Sequence, residues 1–137
     1  MQYVEYELGV DVIRPIDRLE YYSTPLYVDY LNNEKTVFRL RNIINEIVTR
    51  MNYDYILIDA GGHWTGLTIN ALAAASAGIV VVMDKSERCY NAAELFIPKI
   101  TDLQRHFHTL LQEEQGERDS DFTERIYIIN NLSILRM

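Results

Sequence analysis

Two apolar runs, each closed by an aspartate, constrain this chain more than anything else in it. They are YDYILID at residues 53 to 59 and IVVVMD at residues 79 to 84, separated by a small-residue stretch from Thr65 to Ala75. A strand covered on both faces reads as a continuous apolar run rather than as an alternation. Both runs are rich in β-branched or aromatic residues, which favour strands. The alanines between them predict a helix that packs closely on a sheet. Strand, helix, strand in this order implies parallel pairing through a crossover.

The flanking sequence extends the alternation. GVDVIRP (9 to 15) predicts a short strand stopped by Pro15. Residues 16 to 34 read as irregular, with turn signals at Ser23-Thr24-Pro25 and Asn32-Asn33. Val37, Leu40, Ile43, Ile44, Ile47, Val48 and Met51 recur at steps of three and four, with Arg39, Arg41, Asn45, Glu46 and Arg50 mainly between them. That spacing predicts an amphipathic helix with one buried face. Residues 88 to 115 predict a long helix, including Ala93, Leu95, Phe96, Ile100, Leu103, Phe107, Leu110 and Leu111, which Pro98 should break, kink or restart. Gly116 to Asp121 predicts a charged loop and IYIIN (126 to 130) a last buried strand. The expected fold class is α/β, a mostly parallel sheet flanked by helices, in one domain spanning residues 1 to 137.

Composition narrows the function. A formal charge of −7 argues against a general nucleic-acid binder, which needs surplus Lys and Arg. The single cysteine, Cys89, permits no disulfide within the chain, so a reducing cytoplasm fits best. Arg88 beside it can lower a thiol pKa, but a small half-buried residue is the plainer reading. No apolar run approaches the roughly 20 residues of a membrane span. The first residues, MQYVEYELGVDV, are unlike a signal peptide. Tyr21, Tyr22, Tyr27 and Tyr30 crowd one region, as residues closing a core edge or an interface do. His106 and His108, two apart on a helix, point to different sides and make a poor metal pair. Asp119, Asp121 and Glu124 lack calcium-loop spacing.

The chemistry falls at predicted strand ends. Asp59, Asp84 and Asn130 each follow an apolar run, and ligands of parallel sheets gather at the carboxyl ends of strands. A carboxylate fixed there can hold Mg²⁺ directly or through water. Gly61 and Gly62 would let the backbone approach a phosphate. On these residues alone, a plain cap on the following helix explains Asp59 as well.

The stretch from Tyr53 to Asp84 resembles the central segment of the ParA/MinD (Soj-like) family of deviant-Walker P-loop ATPases. Tyr53, Asp54, Tyr55, Ile56, Ile58, Asp59, Gly66, Leu67, Thr68, Ile69, Asn70, Ala71 and Leu72 stand where the family pattern expects them. The likeness runs more loosely from about Gly9 to Asn131. The resemblance implies that Asp59 is the Walker B aspartate near Mg²⁺, contacting it through water, and that Ala60, Gly61 and Gly62 form the switch loop near the γ-phosphate. It implies that Asn130 contacts the adenine base, although a turn-forming Asn-Asn pair would also explain it. A homodimer built around ATP, a ParB-like activator, and DNA or membrane as a platform for the complete protein follow from the same resemblance.

The departures are specific. Gly61-Gly62 replaces the usual proline pair, His63 and Trp64 replace small or aliphatic residues as a candidate contact surface, and Ser76 stands at an acidic position. The glycine- and lysine-rich phosphate loop is missing: Lys35-Thr36 follows Asn-Asn-Glu instead. The expectation is a partial fold lacking the P-loop strand, from a longer protein or a degenerate relative. It should bind no nucleotide tightly by itself and have no catalytic residue in this chain alone, and either its sheet closes across the vacancy or another chain fills it, giving a dimer or higher oligomer. Two rivals stand beside the partitioning or positioning ATPase. One is a non-catalytic dimerisation or targeting module of the TadZ/CpaE-like type. The other is a receiver-like domain, which would need paired acidic residues that are not found.

Overall fold

The computed structural model describes the backbone of residues 2–5, 9–115 and 126–130 and the side chains of residues 9–111. In chain order the elements are β1 (Gln2–Glu5), β2 (Asp11–Arg14), α1 (Ser23–Leu31), α2 (Arg39–Arg50), α3 (Gly66–Ala74), β3 (Ile79–Met83), α4 (Glu87–Gln115) and β4 (Ile126–Asn130). Short 3-10 turns at Leu19–Tyr22 and Lys35–Phe38 lead into α1 and α2.

The centre is α3. Its residues are mainly small or apolar with no distinct polar face, and Gly66 and Thr68 to Ala74, the polar Thr68 and Asn70 included, are all buried. A helix without a polar face belongs inside, and here α1, α2 and α4 surround it. Val37, Phe38, Ile69, Leu72, Ala73, Ile79, Ile100, Leu103 and Phe107 form the core. Phe38 meets Phe107 edge-on with ring centres 5.4 Å apart. Full burial of each Leu, Ile or Phe here contributes roughly 1.5–3 kcal/mol.

A buried helix must have its end groups satisfied. Thr65, in an extended conformation, caps the N-terminus by accepting from Thr68 N at 3.3 Å. At the other end Gln104 Nε2 donates to the Leu72 carbonyl at 3.4 Å and Arg41 Nη1 to the Ala73 carbonyl at 3.5 Å. A cation beside a helix C-terminus also suits the helix dipole. Arg41, one of the polar residues set between the apolar positions of its helix, is thus the buried residue of α2.

The expected fold class, a mostly parallel sheet flanked by helices, is overturned. Helix predominates, and the strands form two separate two-stranded ladders, β1 with β2 antiparallel and β3 with β4 parallel. The partial P-loop architecture therefore has no central sheet here. Residues 55–58, expected as a buried strand, belong to neither ladder and have no regular structure. The physical reason is partnership: a four-residue apolar run becomes a strand only when neighbours accept its backbone hydrogen bonds. The expectation of a wholly buried strand at residues 79 to 84 fails likewise. Ile79 and Met83 are buried, but Val80 and Val82 are exposed, because only one face of the ladder is covered.

Two helical expectations also change. Residues 23–31 are helical rather than irregular, with Pro25 in the first turn, where its missing N–H costs nothing. Asn33, at φ 59°, marks the left-handed turn after that helix. The long helix runs through Pro98 without a break. β2 ends just before Pro15, and the amphipathic and alanine-rich helices form, as expected. The 116 to 121 loop lies outside the described residues.

α1 and α3 approach closely at Gly66. A Cβ placed on Gly66 would collide with the Ser23 carbonyl oxygen, lie 2.5 Å from Tyr27 N and 2.8 Å from Leu26 Cβ. Gly→Ala in an open helix stabilises by about 1 kcal/mol. Gly66→Ala is expected to do the opposite, lowering unfolding stability by roughly 3 kcal/mol through backbone displacement. Urea denaturation measures the sign, and a stabilised variant would contradict this packing.

Candidate functional site

The segment that carries the candidate residues enters α3. Its last part is fastened. The Thr68 hydroxyl donates to the His63 carbonyl at 2.6 Å, with the Gly61 carbonyl at 3.3 Å as a weaker second acceptor. One hydroxyl has one proton, so the shorter contact takes it. Trp64 turns inward, its ring edge-on to Phe96 with centres 5.5 Å apart, and Lys99 Nζ lies 5.7 Å from its centre. Trp64 is thus an anchor of the loop on α4, while His63 is exposed. Of the two residues expected as a contact surface, the fold leaves only His63 outward.

Asp59, Ala60, Gly61 and Gly62 are all exposed and lie in irregular backbone. Open space surrounds the position of an added Cβ at Gly61 and at Gly62, and neither has a positive φ. Nothing in their surroundings calls for glycine, and they line no cradle. Among the described residues no three His, Cys, Asp or Glu side chains come together as metal ligands. These residues do not by themselves form a site fitted to a triphosphate and its magnesium ion.

The other predicted strand ends do converge. Parallel pairing places Asn130 beside Met83, so Asn130 and Asp84 share one end of the β3–β4 ladder. Asp84 Oδ1 accepts from Ser86 N at 2.8 Å, and Ser86 Oγ accepts from Cys89 N at 3.2 Å. Together they cap the N-terminus of α4. Hydrogen bonds from the Ser86 hydroxyl, the Ser86 backbone and the Cys89 side chain hold the Asp84 carboxyl below its ordinary range. Asp59 is not on that ladder. The structure therefore brings two of the three expected strand-end residues together and leaves the third elsewhere.

Further contacts escaped the pattern reading. The Tyr53 hydroxyl donates to the Asp11 carboxylate, tying the segment before Asp59 to β2 across the chain. Tyr27 and Tyr30 pack against the core, whereas Tyr21 and Tyr22 are exposed. Burial, and then Tyr27, push the Tyr30 phenol above its ordinary pKa. The Thr65 cap has a local signal, a threonine just before an apolar helix. The Tyr53–Asp11 bond has none. No helix among the described residues is long and apolar enough to cross a membrane. No protein-family model, curated protein or solved structure matches the chain.

Removing the clasp tests the loop geometry. Thr68→Val is expected to lose about 1 kcal/mol of stability and to speed amide exchange around residues 61–65. Unchanged exchange there would contradict the clasp. Asp84 gives a pH signature. Its folded pKa is lowered, so its contribution is present above the unfolded value near ~3.9 and is lost as pH falls through the folded value. Asp84→Asn should be less stable than the parent near neutral pH. The gap should close below about pH 4, read by thermal unfolding across pH.

Proposed function

We propose that this chain is the Walker-B-containing part of a ParA/MinD-type ATPase acting in DNA partitioning or in positioning a cellular structure. The reading is carried by one observation, the run of matching residues from Tyr53 to Leu72 that ends in the Thr65-capped helix α3. The parallel β3–α4–β4 unit, with Asp84 and Asn130 at one end, is compatible with it. In this reading Asp59 serves Mg²⁺ only when a segment outside residues 1 to 137 or another chain supplies the phosphate cradle. Dimerisation around ATP and reset by an activating partner belong to the complete assembly.

The openness of Asp59 to Gly62 favours a second reading. A non-catalytic dimerisation or targeting module of the TadZ/CpaE-like kind would need no cradle, and His63 would face its partner.

Two substitutions separate the readings in the native host. If nucleotide chemistry operates, Asp59→Ala should abolish retention or positioning of the cargo while His63→Ala leaves it intact. The reverse pattern would establish the targeting module instead. The purified chain should release no phosphate from MgATP above background, since one exposed carboxylate cannot hold a triphosphate. Turnover that disappears in Asp59→Ala would overturn that expectation.

A further inference from the structure

The segment Tyr55–Ile58 has the chemistry of a strand and, among the described residues, none of its partners. Exposure alternates along it with period two: 87% at Tyr55, 38% at Ile56, 94% at Leu57 and 37% at Ile58. Side chains that alternate between outward and inward positions are the signature of strand backbone. The backbone of residues 55–60 makes no hydrogen bond with any other described residue. The segment is nevertheless held at both ends. Tyr53 is bonded to Asp11 on one side, and Thr68 clasps the 61–63 backbone on the other. A tethered segment with free donors and acceptors and an apolar face is what strand addition requires.

Charge selects the occupant. Asp54 and Asp59 bracket the apolar run, and both are exposed. A second copy pairing antiparallel over the same residues would set Asp54 opposite Asp59. In parallel register it would set each aspartate opposite its own copy. Like charges directly opposite one another destabilise a ladder. The net charge of −7 adds repulsion between copies at longer range. We infer that Tyr55–Ile58 is a docking edge for a strand of another polypeptide, in which four apolar, β-branched residues lie between Lys or Arg residues that meet Asp54 and Asp59. The inference depends on exposure, backbone hydrogen bonding and charge, so it stands or falls separately from the nucleotide reading.

The test uses the full chain and two synthetic peptides, each with four alternating valines and isoleucines, one flanked by lysines and the other by glutamates. Fluorescence anisotropy gives affinity, and amide exchange maps the site. The lysine-flanked peptide is expected to bind about tenfold more tightly than the other, consistent with two opposed charge pairs, and to protect amides 55–59. The double variant Asp54→Lys, Asp59→Lys should reverse the preference. Both positions are exposed, so its helical circular dichroism should match the parent. Leu57→Pro should remove binding of the preferred peptide. Equal binding of both peptides, protection elsewhere, or self-association of the chain that Leu57→Pro abolishes would each overturn the proposal.

Discussion

Burial of all of α3 but Leu67 governs the arrangement of everything else. A nine-residue helix can be enclosed by other helices only if its surface is low and its ends are satisfied. Glycine and alanine meet the first requirement, and at Gly66 the backbone of α1 approaches where a side chain would stand. Thr65 meets the second at the N-terminus, and Gln104 and Arg41 meet it at the C-terminus. Those two polar residues come from α4 and α2. The same bonds that complete α3 therefore fix where its neighbours lie.

That arrangement divides the candidate site. The loop entering α3 is anchored by Thr68 and by Trp64 against Phe96, so its position follows from the helix packing. The residues before it, from Tyr55 to Ala60, gain no such support. Among the described residues their apolar side chains find little to pack into, because α3 is already surrounded and the β3–β4 ladder pairs with itself. Asp59 is thus presented outward on an unsupported segment, while Asp84 and Asn130 share a different edge.

Legibility in the sequence followed the range of the physical cause. Local causes were read well. The periodic helix over 39–50, the alanine helix, the long helix over 87–115 and the stop at Pro15 each depend on residues a few positions apart. The helix at 23–31 was hidden because Ser-Thr-Pro is both a turn signal and a helix start, and only the following residues' packing against α3 decides between them. The burial of Arg41 was hidden because periodicity counts it as polar and cannot see a carbonyl on another helix. Leu95 carries the apolar signal of the long helix and is exposed, since no element covers that face.

The strand expectation at 55–58 shows the same division most sharply. Aromatic and β-branched residues, the bracketing aspartates and the threonine before α3 are properties of the chain itself, and they specify a strand-forming segment followed by a capped helix. Whether that segment becomes a strand is not a local property, because ladder hydrogen bonds come from residues distant in sequence. Tertiary structure decided that β3 pairs with β4, that α3 takes the centre, and that Tyr55 and Leu57 face solvent. Helical hydrogen bonds close within a few residues and strand hydrogen bonds do not, so the sequence specified its periodic and alanine-rich helices locally, while the helix at 23–31 and the strand pairing waited on tertiary contacts.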